Sequence, residues 1–283
     1  MNILTSNQAP MIMGILNVTP DSFSDGGQHN TLEQAVNRAT VMVNQGATII
    51  DIGGESTRPG AKEVSTQEQL DRVIPVIEGI RKSTVEDTLI SIDTTDYDVA
   101  KQALQAGANW INDISAGEDT EHGENQMILL AAKQNCPIIL MHRQGKSDRM
   151  QDNPSYDDVC KEVKNYLKER AQLALDSGVK KANIIIDPGI GFGKTLQHNI
   201  ALLSDLKSLV LLGFPVLLGT SRKRFLGEII VGTKGESDPS QRVTATCVTT
   251  ALGVQAGVNI FRVHDVIENK QAMDVAWAIT DFR

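Results

Sequence analysis

Short runs of apolar, β-branched residues recur along the chain, and each run ends at a polar or glycine-rich cluster. Eight such runs are present, at residues 11–19, 47–55, 88–94, 109–115, 137–143, 183–191, 215–221 and 259–265. Their apolar positions are continuous rather than alternating, which is typical of parallel strands covered on both faces. The pattern therefore predicts eight parallel strands.

The intervals between these runs have apolar residues at helical spacing. Examples are Leu32, Ala35, Val36, Ala39 and Val43, and then Leu70, Val73, Ile74, Ile77 and Ile80. Several predicted helices end at a glycine just before the next strand, at positions 46, 107, 178 and 257. Eight strand–helix units without a Pro/Ser-rich linker predict an α/β fold, a (β/α)8 TIM barrel with residues 1–283 as a single domain. A doubly wound open sheet is the alternative.

The composition of the chain limits which partners and which cellular compartment we expect. The 283 residues include 27 Lys+Arg and 35 Asp+Glu, a formal net charge of −8, which argues against nucleic acid or an anionic membrane as the main partner. Cys136, Cys160 and Cys247 are far apart and odd in number, which suits free thiols in a reducing compartment. Neither a signal peptide nor an apolar run of membrane-spanning length is evident, so we expect a cytoplasmic protein.

Polar residues follow every predicted strand. They are Asn17, Glu55 to Arg58, Asp93, Asn112 and Asp113, His142, Asp187, Ser221 to Lys223, and Arg262 with His264. Barrel active sites lie at the C-terminal ends of the strands. This phasing therefore predicts one shared site, although some of these residues could instead cap the turns that follow the strands.

Three of these residues favour a flat heterocyclic ligand. Asp93 and Asp187 could each accept two N–H bonds from an amidine-like edge, while Asn112 offers a donor and an acceptor. Together they could bind a pterin or a purine-like ring. The alternative is that each side chain ties its own loop.

Other strand-end residues favour an anion. Arg262 and His264 are two residues apart on the eighth predicted strand and share a face, and phosphate is often bound near the last two strands of a barrel. Asn17, on the adjacent first strand, could bind the same group or a metal. Lys223 lies in a run of three cations, of which we expect at least one to turn inward; a solvated run or a structural histidine is the alternative.

Seven ordered segments resemble the bacterial dihydropteroate synthases. They are GILNVTPDSFSDGG (14–27), DIGGESTRPGA (51–61), SIDT (91–94), INDISAG (111–117), DPGIGFGKT (187–195), GTSRKRFLG (219–227) and RVHDV (262–266). The resemblance covers almost the whole chain. It implies condensation of 6-hydroxymethyl-7,8-dihydropterin diphosphate with 4-aminobenzoate, which yields 7,8-dihydropteroate and diphosphate, in a homodimer that uses Mg²⁺ and binds sulfonamides.

The resemblance also assigns roles to residues. For the pterin it implies Asp93, Asn112, Met141, Asp187 and Lys223. For the diphosphate it implies Asn17, Arg262 and His264, with Asn17 near the metal. For 4-aminobenzoate it implies Thr57, Arg58, Pro59, Phe192 and Ser221, under loops that carry Phe23 and Asp25. The catalytic group would be Asp93, Asp187, Lys223, Arg262 and His264, and we expect an SN1-like loss of diphosphate before the amine attacks.

Other interpretations fit less well. Residues 191–195 (GFGKT) end like a P-loop, but Pro188 stands where that motif needs its first glycine, and the histidines lack metal-site spacing. A corrinoid-dependent methyltransferase would have no use for a diphosphate clamp. A catalytically silent pterin-binding paralogue is disfavoured because every expected position is filled.

Overall fold

The structure, a computed structural model, describes residues 8–19, 28–55, 64–118, 123, 125–145, 150, 153–232 and 237–282, without the side chains of 28–31. Its eight strands are β1 Met11–Asn17, β2 Ile49–Gly53, β3 Leu89–Asp93, β4 Trp110–Asp113, β5 Ile138–Met141, β6 Ile184–Asp187, β7 Leu217–Leu218 and β8 Ile260–Val263. Each strand lies inside one of the eight predicted runs, so the strand prediction is confirmed.

Neighbouring strands pair in parallel, in the order β6-β5-β4-β3-β2-β1-β8-β7. The two end strands meet at a parallel bridge between Ile186 and Val216, where the Ile186 N–H donates to the Pro215 carbonyl at 2.9 Å. This contact closes the sheet. The (β/α)8 barrel is therefore confirmed, and the open doubly wound sheet is excluded.

Helices alternate with the strands on the outside of the barrel. They are α1 Gln28–Asn44, α2 Thr66–Arg81, α3 Tyr97–Ala106, α4 Gln126–Gln134, α5 Val159–Asp176, α6 Leu196–Ser204, α7 Leu206–Val210, α8 Arg224–Val231, α9 Val243–Ala256 and α10 Val266–Asp281. The glycines predicted to end helices, at 46, 107, 178 and 257, all have positive φ. No helix among the described residues is long and apolar enough to cross a membrane.

Side chains alternate between the two faces of each strand, and the two faces contribute to two separate cores. Ile50 and Ile52 of β2 pack with helix residues in the outer core, so Ile49, Asp51 and Gly53 face the barrel interior. The floor of that interior is a smaller apolar cluster of Met13, Ile49, Trp110, Ile139, Ile185, Leu217 and Ile260. Above this floor the interior becomes charged, and the charged layer leads to the C-terminal ends of the strands.

Candidate functional site

A cavity of about 880 Å³ opens at the C-terminal ends of the strands. This volume lies within the usual range for small-molecule sites. Its walls include Asn17, Asp93, Asn112, Met141, Asp187, Phe192, Ser221, Lys223, Arg262 and His264, all of which the sequence analysis proposed. The other proposed residues, Phe23, Asp25, Thr57, Arg58 and Pro59, lie outside the described residues.

A network of buried charges forms the base of this cavity. The Arg262 guanidinium donates from Nε to Asp51 Oδ2 and from Nη2 to Asp93 Oδ2, both at 2.6 Å. Asn112 Nδ2 also donates to Asp51 Oδ2, at 3.1 Å. Asp51 is fully buried and Asp93 is 8% exposed, so the guanidinium supplies a charged partner to two carboxyl groups that have almost no contact with solvent.

Several polar atoms at the same depth have no hydrogen-bond partner within the described part of the chain. They are Asp51 Oδ1, Ser91 Oγ, Asp93 Oδ1 and Trp110 Nε1. Buried polar groups are normally paired with protein, water or ligand. Since Asp93 also lines the cavity, its unpaired Oδ1 is available to a ligand that donates hydrogen bonds.

Burial also shifts the protonation of the acids in this layer. The pKa of Asp93 is raised to about 7, mainly by burial, with a smaller contribution from Asp51 and against the opposing effect of Arg262. Burial raises the pKa of Asp187 too, while Lys223 and the Gly189 N–H, which donates to Asp187 Oδ1 at 2.7 Å, oppose that rise. Perturbed acids grouped in a cleft indicate a functional site.

The three cations that follow β7 take different directions. Arg222, at a φ of 57°, pairs through Nε with Asp265 at 2.8 Å, and Arg224, whose side chain is 88% exposed, pairs with Glu228 on the surface. Lys223 turns inward, where its Nζ donates to the Ile190 carbonyl. The prediction that at least one cation turns inward is therefore confirmed.

Lys223 also contacts the loop that follows β6. Its Nζ lies 4.5 Å from the centroid of the Phe192 ring, a cation–π contact. Burial lowers the pKa of Lys223 to about 8, with Arg262 adding to this and Asp187 opposing it. The ammonium therefore contacts the aromatic wall of the cavity and is close enough to Asp187 to influence its charge.

Ser221 and His264 form a second polar pair at the cavity wall. The Ser221 hydroxyl accepts from the backbone N–H of His264 at 3.0 Å and contacts His264 Nδ1, also at 3.0 Å. When this hydroxyl donates to Nδ1, a neutral imidazole carries its proton on Nε2. The Ser221 hydroxyl thus fixes the direction of the His264 ring, which lines the same cavity as Arg262.

Not every strand-end residue serves the cavity. Asp113 accepts from Ser115 N at 2.8 Å, Ser115 Oγ at 2.6 Å and Gly117 N at 2.6 Å. It therefore ties its own loop, which is the alternative that the sequence left open for such residues. Asp187 does both, since it ties Gly189 and lines the cavity.

Two buried charged residues in this region, Asp51 below the cavity and Lys194 in its wall, were missed by the sequence analysis. Asp51 lies inside the apolar run IIDIG, and a charge in the middle of a buried strand is a usable signal, because such a charge requires a buried partner. Lys194, which is 3% exposed, follows Gly193 in the loop after β6. Its position in the failed P-loop pattern gave no indication that it turns inward.

Comparisons with known proteins identify the family of this chain. A family model described as "Pterin binding enzyme" matches residues 13–264. The dihydropteroate synthase of Synechocystis sp. is 47% identical over 268 residues, which cover 95% of this chain and 89% of that protein.

Solved structures of the same name superpose closely. Yersinia pestis dihydropteroate synthase with a sulfonamide drug has a TM-score of 0.88 and 42% identity, covering 98% of this chain and 96% of that one. Xanthomonas albilineans dihydropteroate synthase with 4-aminobenzoic acid has a TM-score of 0.87 and 43% identity, covering 98% and 94%. The chain therefore belongs to the dihydropteroate synthases, a family of pterin-binding transferases.

Proposed function

We propose that this chain condenses 6-hydroxymethyl-7,8-dihydropterin diphosphate with 4-aminobenzoate, which yields 7,8-dihydropteroate and diphosphate. The observation that carries this proposal is that one cavity holds two buried carboxylates together with groups that can bind an anion. Asp93 and Asp187 are the carboxylates, while Arg262 and His264 contribute cationic or hydrogen-bonding groups. A substrate matches both sets of groups if its heterocycle donates hydrogen bonds to the carboxylates and its leaving group is an anion.

The pterin binds at the two carboxylates. The unpaired Oδ1 of Asp93 accepts from the amidine-like edge of the ring, and Asp187 contributes a second acceptor. Asn112, Met141 and Lys223 complete the wall. Burial favours such hydrogen bonds, since an unpaired buried acceptor such as Asp93 Oδ1 carries a desolvation cost that a donating ligand removes.

The diphosphate binds at Arg262, His264 and Asn17. Arg262 uses Nε and Nη2 for the two carboxylates, and its Nη1 makes no hydrogen bond within the described residues. The Ser221 hydroxyl contacts His264 Nδ1 and so orients the imidazole ring. Preorganised donors of this kind stabilise the charge that develops on a leaving diphosphate.

Mg²⁺ fits this site as a partner of the diphosphate. Asn17 lines the cavity with a side-chain oxygen, and no group of three His, Cys, Asp or Glu able to hold a metal occurs among the described residues. Mg²⁺ commonly takes one or two protein oxygens and completes its shell with phosphate and water. Asn17 would hold the ion, which when bound would neutralise charge on the leaving diphosphate.

The second substrate, 4-aminobenzoate, lies against Phe192 and Ser221. Thr57, Arg58 and Pro59, with the loop carrying Phe23 and Asp25, are proposed to complete this pocket. The X. albilineans relative with 4-aminobenzoic acid and the Y. pestis relative with a sulfonamide drug support binding of both ligands here. The amine is neutral at pH 7, so it needs positioning rather than a strong base.

Bond breaking precedes attack in the proposed order. Loss of diphosphate leaves a cation at the exocyclic carbon, which Asp93 and Asp187 favour, and the amine lone pair then forms the new C–N bond. A secondary deuterium isotope effect at that carbon measures the order. A clearly normal effect supports the SN1-like route, and a negligible one contradicts it.

The test of function is diphosphate release from the pterin diphosphate with Mg²⁺, with and without 4-aminobenzoate. Release should require aminobenzoate and fall by about 10²–10³ in Arg262→Ala, the usual loss when one charge-stabilising group is removed. Asp187→Asn should weaken binding of the pterin. A wild-type protein that binds pterin but releases nothing would instead be a silent pterin-binding paralogue.

We also propose that the enzyme is a cytoplasmic homodimer. Val248 and Leu252 of α9 and Val275 and Ile279 of α10 are each more than half exposed on two helices that pack together. Such a face favours a second copy of the chain. Sedimentation velocity should give a dimer that Leu252→Asp weakens; a wild-type monomer would contradict the proposal. The free cysteines support a reducing compartment.

A further inference from the structure

Lys194 is a buried amine with three hydrogen-bond contacts to neighbouring loops. Its Nζ donates to the Phe192 carbonyl at 3.0 Å and to the His142 carbonyl at 3.4 Å, and contacts His142 Nδ1 at 3.0 Å. Burial, with Lys223 adding to it, lowers the pKa of Lys194 to about 7. When it is protonated, the amine has three N–H donors, and these three acceptors match them. Lys194 therefore connects the end of β5 with the loop that follows β6.

The β6 loop is held from two sides by lysines. Lys223 donates to the Ile190 carbonyl and covers the Phe192 ring at 4.5 Å, while Lys194 binds the carbonyl of the same phenylalanine. The ring and the backbone of Phe192 thus have separate cationic contacts. Losing either contact frees one part of a residue that lines the cavity.

The backbones of the β5 and β6 loops are also in close contact. Gly189 and Gly193 each have a φ of 64°. A Cβ on Gly189 would lie 1.9 Å from the His142 carbonyl oxygen, and a Cβ on Gly193 would lie 2.3 Å from the Gln144 carbonyl oxygen. The Tyr156 hydroxyl donates to the Gly193 carbonyl at 2.8 Å. Because the two loops are in direct contact, the Lys194 hydrogen bonds add to an existing contact and can fix the local position of Phe192 within it.

His142 is suited to accept from Lys194. Burial, together with the nearby Lys194 ammonium, lowers the pKa of His142 to about 3, so the imidazole is neutral at neutral pH. Tyr166 packs edge-on against the ring with centroids 4.9 Å apart, which limits its rotation. A neutral, fixed imidazole offers an acceptor nitrogen in a constant direction.

We propose that Lys194 is a positioning residue for 4-aminobenzoate, which acts by tying the Phe192 carbonyl to His142 and so holding the Phe192 ring in the pocket wall. Lys194 does not need to touch either substrate, because its donors are already used. This inference rests on the proposed function, in which Phe192 contacts 4-aminobenzoate. It predicts an effect on one substrate and not on the other.

The experiment is a double-mutant cycle of Lys194→Met and Phe192→Ala, assayed as diphosphate release with each substrate varied in turn. Lys194→Met should raise KM for 4-aminobenzoate about tenfold, as expected for a lost charged hydrogen bond, with kcat and the KM for the pterin diphosphate changed less than about twofold. In the double variant the two increases should be less than multiplicative, because both act through one ring.

Lys168→Met, an exposed lysine on α5, is the matched control and should leave both KM values unchanged. Circular dichroism confirms that each variant is folded. Should Lys194→Met not fold, Lys194→Gln replaces it, since its amide keeps an N–H donor but ends one atom short. It should raise the same KM by a smaller factor.

The outcomes separate the two proposals. If Phe192→Ala leaves the KM for 4-aminobenzoate unchanged, the proposed pocket is wrong. If Phe192→Ala raises that KM but the Lys194 variants do not, or if their effects multiply fully, the positioning role is overturned. A fall in kcat with both KM values unchanged would also overturn it, since it would indicate direct action on the reacting groups.

Discussion

The buried position of Arg262 makes the stability of this barrel depend on one guanidinium. Arg262→Met keeps much of the side-chain volume but removes the donors to Asp51 and Asp93, at 2.6 Å each. Both carboxylates then remain buried without a cation. Removing one partner of a buried ion pair typically costs about 3–5 kcal/mol, and we expect a loss of that size in the free energy of unfolding at about pH 8.

The loss should shrink in acid. Arg262 lowers the pKa of Asp93 against burial, so without Arg262 that pKa rises further above about 7. A carboxyl whose folded pKa exceeds its unfolded value of 3.8 binds extra protons when folded, and the stability this supplies is lost as pH rises through the folded pKa. The stability that Arg262→Met loses relative to the wild type should therefore be smaller at about pH 5.5 than at about pH 8, by more than about 1 kcal/mol.

Urea unfolding followed by circular dichroism measures the free energy of unfolding at the two pH values. The dependence of that free energy on urea concentration should be the same in each variant. Arg224→Met is the matched control, because Arg224 makes a comparable ion pair with Glu228 on the surface and should cost less than about 0.5 kcal/mol. Adding Asp51→Asn to Arg262→Met should recover about 1–2 kcal/mol. Equal losses in the two arginine variants, or a deficit independent of pH, would refute the reasoning.

The remaining predictions concern single side chains. Lys223 has a pKa lowered to about 8, so kcat/KM for the pterin diphosphate should fall as pH rises through about 8, and Lys223→Met should abolish that limb of the pH profile. Gly189→Ala should prevent soluble expression because its Cβ would meet the His142 carbonyl, whereas Gly178→Ala, with its nearest atom at 4.0 Å, should express and lose about 1 kcal/mol in thermal unfolding. Thr195→Ala removes the N-cap of α6 and should lower unfolding free energy by about 1 kcal/mol in urea.

Much of the site could be predicted because a barrel gathers its strand ends. Asp93, Asn112 and Asp187 each stand at the end of an apolar run, and parallel strands in a closed sheet bring those ends to one face. Their partners could not be predicted in the same way. Asp113, next to Asn112, has an equivalent place in the sequence but ties its own loop.

The sequence by itself determined the elements of this protein. Continuous apolar runs specify covered parallel strands, helical spacing specifies the intervening helices, and the glycines at 107 and 257 end two of them, because these signals act between residues close along the chain. Eight such units were enough to indicate a barrel.

Only the tertiary structure decided which charged groups are buried and with whom. Arg262 and Asp51 are 211 positions apart, and they meet because closure of the barrel directs β8 and β2 into one interior. The same closure turns Lys223 inward and leaves Arg224 in solvent, and it places Lys194 against His142. Desolvation and pairing depend on distances that exist only in the folded chain, so no local pattern could report them.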